Sequence, residues 1–278
     1  MMNGIAPQKH MTAEMEELKR RLKATWMTGH YDVFARFMEA DAEEFFWRLE
    51  VKPGARLLDV GCGAGQLALI AARAGAQVTG CDIATNWLEK ARERALSEGL
   101  AVSFEEGDAE ALPYRDGGFD VVASLVGAMF APRPNLVAAE LTRVCRLGGV
   151  IAMANWTPEG FIGQMFRVIG RHIAPSGMPS PVLWGDEASV RERLREGIAG
   201  MEMTRRTYHF DYPFAPAGVV DFFRANYGPM TRAFASLDDG GQQRLHAELT
   251  DLWACHNRAR GERTQVEAEY LEVMARRG

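Results

Sequence analysis

Between residues 56 and 155, short apolar runs take turns with segments whose apolar positions recur at helical spacing. The runs at 56–60, 77–82, 101–106, 119–124 and 150–155 predict strands, and the segments at 65–74, 86–98 and 135–145 predict helices. Gly75 and Gly99 follow the ends of two of these helices, where a left-handed residue stops the turn, and Asn86-x-x-Glu89 has the pattern of a capping box. Strict strand and helix alternation implies a parallel sheet with crossover helices on both faces. Right-handed crossovers then bring the carboxyl ends of the first strands to one ligand crevice.

The flanks are more helical. Residues 12–26 predict an amphipathic helix with Met15, Leu18 and Leu22 on one face, followed by a break at Thr28-Gly29-His30. Residues 33–49 carry Val33, Phe34, Phe37, Phe45, Phe46 and Leu49 and predict a second helical segment. Beyond Trp156 an aromatic-rich helix over 161–173 leads into Pro175, Gly177, Pro179, Pro181 and Gly185, the composition of a long ordered loop. That stretch, 157–186, and the Trp26 to Tyr31 break are expected to cover a ligand. A helix at 187–197, a strand at 201–212, helices near 215–226 and 240–258 and a last strand near 264–275 complete the pattern. Four sections result: a helical segment or flap at 1–50, a ligand-binding core at 51–156, a lid and connecting helix at 157–200, and strands with inserted cap helices at 201–278.

Composition narrows the partners. With 278 residues, 47% hydrophobic and 25% charged, the chain fits one α/β domain plus a cap. A net charge of -5 opposes nucleic acid, and Lys19-Arg20-Arg21 and Arg205-Arg206 read as solvated faces. No 18-residue apolar run and no signal-type apolar region occur, so no membrane is expected and the expected location is cytoplasmic. Cys62, Cys81, Cys145 and Cys255 lack C-x-x-C spacing, and Asp238-Asp239 reads as a solvated turn, so neither a disulfide framework nor a metal site is expected.

The candidate chemistry lies where the first strand ends. Leu57-Leu58-Asp59-Val60-Gly61-Cys62-Gly63-Ala64-Gly65 runs through an acidic residue into a D-x-G-x-G-x-G loop and opens a helix. Glycines there let backbone N–H groups approach a ligand. The third glycine comes one residue too early for G-x-G-x-x-G, and no G-K-[ST] ending follows, so dinucleotide pyrophosphate and nucleoside triphosphate both fit poorly. Asp59 suits an ammonium group instead. Asp82, 21 positions after Gly61 at the end of the second strand, is placed to accept from ribose hydroxyls. Gly107-Asp108-Ala109 adds an acidic turn able to accept from an adenine amine. Together these turns describe adenosine with an amino-acid tail.

Asp59 to Gly65, Gly80-Cys81-Asp82-Ile83, Gly107 to Tyr114 and Gly117-Gly118-Phe119-Asp120-Val121-Val122 resemble the successive motifs of class I S-adenosylmethionine-dependent methyltransferases, in particular the ubiquinone and menaquinone biosynthesis branch. The resemblance covers roughly residues 50 to 156 and implies a Rossmann-like, doubly wound sheet of about seven strands, mostly parallel with an antiparallel last strand. It implies S-adenosylmethionine as cofactor, its methionine moiety at Asp59, Gly61, Cys62 and Gly63, its ribose at Asp82, and its adenine at Ile83, Asp108 and Ala109, with Gly65 also in the cofactor-binding set. Tyr31, Ser124 and Leu125 join this candidate set. Leu147-Gly148-Gly149 departs from the family's Pro-Gly-Gly in the turn expected before the fifth strand.

Residues after strands four and five, Met129, Phe130, Asn155, Trp156 and Phe161, are candidates for an acceptor pocket, with Phe166 beside them and Trp26 and Tyr227 contributed from the flanks. His30, His172 and His209 have no evident partner, and no catalytic base is assigned. The expected activity is methyl transfer to oxygen, nitrogen or carbon of a small, partly apolar molecule. A protein or RNA methyltransferase, a non-catalytic cofactor-binding module and an NAD-dependent oxidoreductase are the alternatives. Acceptor identity and oligomeric state are left open by the sequence.

Overall fold

A computed structural model describes residues 12–174 and 177–278. Ahead of the sheet lie three helices, α1 (Ala13–Trp26), α2 (Tyr31–Ala35) and α3 (Glu39–Arg48), the last two separated by a 3-10 turn at Arg36–Met38. The continuous segment expected over 33–49 is therefore broken. The break lets Phe34 turn toward Phe223 while Phe45 and Phe46 face the main core.

From β1 (Arg56–Val60) the chain runs through α4 (Gln66–Arg73), β2 (Gln77–Asp82), α5 (Thr85–Ser97), β3 (Val102–Glu106), β4 (Phe119–Leu125), α6 (Pro134–Val144) and β5 (Cys145–Trp156). Then come α7 (Phe161–His172), α8 (Glu187–Arg193), β6 (Ile198–Tyr212), α9 (Pro216–Asn226), α10 (Gly228–Ala235), α11 (Asp239–His256) and β7 (Thr264–Arg277). The seven strands form one sheet in the order β3-β2-β1-β4-β5-β7-β6. All pairings up to β5 are parallel, and β7 runs antiparallel between β5 and β6. The order reverses between β1 and β4, so a crevice opens at the carboxyl ends of these two strands.

Several local expectations give way to tertiary contacts. The fifth strand starts at Cys145 rather than 150, which places Leu147-Gly148-Gly149 inside the strand, and the register with β4 shifts between Phe119 and Val121. Helix α5 has Ala84 as its N-cap, so Asn86 does not head a capping box; its Nδ2 donates to the Met27 carbonyl at 3.2 Å and ties α5 to the end of α1. Asp238 caps α11, accepting from the Gly241 N–H at 2.7 Å, instead of lying in a solvated turn. Helix α8 ends at Arg193 and not at 197, and α10 was hidden because Tyr227-Gly228-Pro229 reads as a loop although Pro229 suits the first turn of a helix.

Two parts of the expected lid, residues 161–168 and 181–185, are built into the body of the fold. Phe161 packs on Trp253 with ring centroids 4.5 Å apart, and a 3-10 turn at Pro181–Gly185 buries Trp184 and Val182. Gly185 is held against the Trp156 carbonyl so closely that a Cβ would sit 2.1 Å from it. Pro175, part of the expected lid, lies outside the described residues.

Candidate cofactor and acceptor site

At the switch point the backbone itself is the scaffold. Gly61 has φ +73°, and a Cβ there would lie 2.7 Å from the Gly127 Cα; a Cβ on Gly127 would lie 2.6 Å from the Gly61 carbonyl oxygen. Only glycine at both positions lets the loop after β1 touch the loop after β4. Ser124 reinforces the junction: its Oγ donates to the Val60 carbonyl at 2.7 Å and accepts from the Ala128 N–H at 2.8 Å. Val126, between Leu125 and Gly127, adopts φ +52°, a left-handed conformation that a β-branched residue takes only under constraint.

Asp82 fastens the glycine loop to β2. Its two carboxylate oxygens accept from the Gly63 and Ala84 N–H groups, each at 2.8 Å, while burial raises its pKa. Asp59 is buried at the end of β1 and accepts from the Ala68 N–H at 3.1 Å. Burial, with the nearby Asp82 charge adding to it, pushes the Asp59 pKa up to about 7. Tyr31 is pushed well above the usual phenol range, first by burial and then by Asp82 and Asp59, so it stays protonated.

Three adjacent spaces that share lining residues surround this scaffold. A cavity of about 730 Å³ is lined by Gly61, Gly63, Asp82, Ile83, Asp108 and Ala109, with Trp26 and Tyr31 from the helical flank. Lys19 and Lys23 of α1 form another wall. Both are ion-paired: the largely shielded Lys19 with Asp108 and with the buried Glu110, which also binds Arg133, and the more exposed Lys23 with Glu106. A second space of about 30 Å³ lies among Asp59, Cys62, Gln66, Leu125 and Tyr31, where the buried Gln66 Nε2 has no hydrogen-bond partner. The third, also about 30 Å³, is an aromatic chamber formed by Trp26, Tyr31, Phe34, Phe130, Trp156, Phe210, Phe223 and Tyr227 with four aliphatic side chains.

The structure thus gathers Trp26, Tyr31, Asp59, Gly61, Cys62, Gly63, Asp82, Ile83, Asp108, Ala109, Leu125, Phe130, Trp156 and Tyr227 around these spaces. It does not bring in the rest. Gly65, at φ +85°, is the N-cap of α4 and leaves room for Phe104 and Ala91, which a Cβ would meet at 3.1 and 3.2 Å. Ser124 is a backbone fastener. Met129 and Phe161 are buried in the core outside all three spaces, and Asn155 is buried outside them too, its Nδ2 without a hydrogen-bond partner. His172 and His209 do have partners, Glu248 at 3.0 Å and Asp41 at 3.3 Å, and these pairs also lie outside the three spaces. Gln66, Lys23, Phe210 and Phe223 are not among the sequence candidates, and Lys19 reads from sequence as part of a solvated face. Only Gln66, directly after the glycine loop, carried a local signal.

A mixed seven-stranded sheet of this order, opening at its switch point onto an acidic glycine loop, is the architecture of class I S-adenosylmethionine-dependent methyltransferases. Residues 58–153 match the methyltransferase domain family. The chain is 37% identical over 246 residues to uncharacterized protein Rv1403c of Mycobacterium tuberculosis, covering 87% of this chain and 90% of that one. It is 36% identical over 156 residues to demethylmenaquinone methyltransferase of Thermus thermophilus, covering 52% of this chain and 70% of that enzyme. The crystal structure of YcgJ from Bacillus subtilis shares the fold with a TM-score of 0.59 at 19% identity, over 85% of this chain and 97% of that one. The chain belongs to the methyltransferase family, and its cofactor is S-adenosylmethionine. No helix of the described residues is long and apolar enough to cross a membrane.

Proposed function

We propose that this methyltransferase acts on a small, largely apolar molecule that enters the aromatic chamber beside the cofactor cavity. The residues present fit the cofactor. The amino-acid end would lie between the Asp59 carboxylate, which suits an ammonium group, and the unpartnered Gln66 Nε2, which needs an acceptor such as a carboxylate. Asp82 would receive the ribose hydroxyls. Asp108 and Ala109 would meet the adenine, and Lys19 must share Asp108 with it. The positive φ and close backbone approach at Gly61 keep this cradle free of side chains.

Bound there, the cofactor supplies an electrophilic methyl group on a positively charged sulfur. What the chain adds is alignment and dryness. Trp26, Tyr31, Val126 and Phe130 stand on the boundary shared by the cofactor cavity and the chamber, so an acceptor held in the chamber faces the cofactor across that boundary. The chamber lining has no carboxylate, imidazole or ammonium group. Its two phenols, Tyr31 and Tyr227, are both held protonated by burial and can donate a hydrogen bond but not take a proton. The acceptor must therefore arrive with its nucleophilic lone pair available. The closed chamber and the ion-paired state of Lys19 and Lys23 support a small molecule over a protein or RNA acceptor.

One observation carries this reading: an apolar chamber shares a wall with the acidic cofactor cavity. Calorimetry with S-adenosylhomocysteine tests its first half. Asp82→Ala should weaken binding by about 2 kcal/mol or more, on the scale of hydrogen bonds to a charged group. An affinity within about threefold of the parent would remove Asp82 from the cofactor site.

A further inference from the structure

The chamber is too small as it stands to admit an acceptor. Its free volume of about 30 Å³ is that of one or two water molecules, so a wall must move. The four boundary residues differ in how firmly they are held. Tyr31 opens α2 and is partly buried, its ring against Phe34 and Trp87, Val126 is fixed by its neighbour Gly127 in the crossed glycine junction, and Phe130 sits in a short turn after β4. Trp26 is the last residue of α1, a helix with no buried side chain. Its carbonyl is anchored, accepting from Trp87 Nε1 at 2.6 Å, while its indole rests on aromatic faces, 4.8 Å from Phe130 and 5.8 Å from Tyr227. An anchored backbone with a side chain held only by ring contacts is a hinge for one ring.

We propose that the Trp26 indole is the gate of the acceptor chamber, and that the chamber selects a flat, uncharged aromatic molecule which takes over the ring contacts that Trp26 gives up. This rests on the proposed acceptor site and deepens it. Eight of the twelve lining side chains are aromatic, so an incoming ring finds faces and edges on every side. A charged group would be stripped of water with no counter-charge in the lining. A puckered saturated ring of equal size would fill the space but lose the face-to-edge geometry. Selectivity therefore follows both charge and flatness.

The test uses full-length protein saturated with S-adenosylhomocysteine and three probes that share a fused two-ring frame: 2-naphthol, 2-naphthoate and 2-decalol. Calorimetry should show 2-naphthol binding at least about 30-fold tighter than 2-naphthoate, roughly 2 kcal/mol at the tenfold-per-1.4 kcal/mol conversion. It should also bind several-fold tighter than 2-decalol. Ile162→Trp, which fills the chamber floor without touching the cofactor cavity, should abolish 2-naphthol binding and leave S-adenosylhomocysteine affinity unchanged. Because an added indole can disturb folding, a second measurement is independent of it: in stopped flow, Trp26→Ala should speed 2-naphthol association by about tenfold, the barrier of ring displacement being gone. Equal affinity for 2-naphthol and 2-naphthoate, undiminished 2-naphthol binding in a folded Ile162→Trp protein, or an unchanged association rate in Trp26→Ala would each overturn the proposal. Loss of S-adenosylhomocysteine binding by the parent would instead count against the cofactor placement, so the two failures are distinct.

Discussion

Asp59 should make cofactor binding depend on pH near neutrality. Its carboxyl is buried at the end of β1, accepts from the Ala68 N–H, and lies near the Asp82 carboxylate, whose charge opposes its ionisation. The resulting pKa of about 7 means that a substantial part of the protein carries a neutral Asp59 at pH 6 to 7. If the ammonium group of the cofactor binds the ionised form, affinity is reduced by the fraction ionised. Between pH 8 and pH 6 that fraction falls about tenfold, equivalent to roughly 1.4 kcal/mol. Calorimetry with S-adenosylhomocysteine at pH 6, 7 and 8, repeated in two buffers of different ionisation enthalpy, reads both the affinity and the proton released at pH 6. Asp59→Asn should flatten the profile and bind no better than the parent does at pH 6. A parent affinity constant across this range, or an equal slope in Asp59→Asn, would show that Asp59 does not titrate against the cofactor. The same group acts oppositely on the free protein. Its folded pKa lies above the ordinary 3.8, so its contribution to stability is full below about pH 4 and is lost as pH rises through about 7, by at most roughly 4 kcal/mol.

Gly127→Ala should destabilise the protein by about 1 to 3 kcal/mol in chemical denaturation, because the new Cβ must displace the Gly61 carbonyl from 2.6 Å; a shift under 0.5 kcal/mol would show that the crossed loops separate freely. Lys19→Ala removes the cation between Asp108 and Glu110, and hydrogen exchange should become faster in α1 with a global stability change of about 1 kcal/mol. Unchanged exchange in α1 would mean that its apolar face alone holds it. Turnover with any acceptor found should survive EDTA, since no metal-holding cluster occurs among the described residues; loss restored by magnesium or zinc would contradict this.

What the sequence reveals here is what depends on neighbours along the chain. Strands β1 to β4 and their helices are bounded by glycines and periodic apolar positions, and Asp59 and Asp82 close strands while Asp108 follows one, so both their structure and their shared edge are legible. Contacts made by distant segments are not. Lys19 looks like part of a solvated basic run because its partners, Asp108 and Glu110, lie about 90 residues away in sequence. The aromatic chamber draws on α2, β5, β6 and α9, and nothing local distinguishes Phe210 or Phe223, which line it, from Phe161, which is spent against Trp253. Asn86 shows the same limit at short range: the capping pattern is present, yet the Met27 carbonyl captures the side chain.

A crystal structure of the complex with S-adenosylhomocysteine decides whether the acidic cavity under α1 holds the cofactor and faces the aromatic chamber. The ribose hydroxyls should lie on Asp82, the adenine amine at Asp108, the amino-acid end between Asp59 and Gln66, and the sulfur facing the wall formed by Trp26, Tyr31 and Phe130. Density for the ligand with its sulfur turned away from that wall, or with its ribose off Asp82, would contradict this placement.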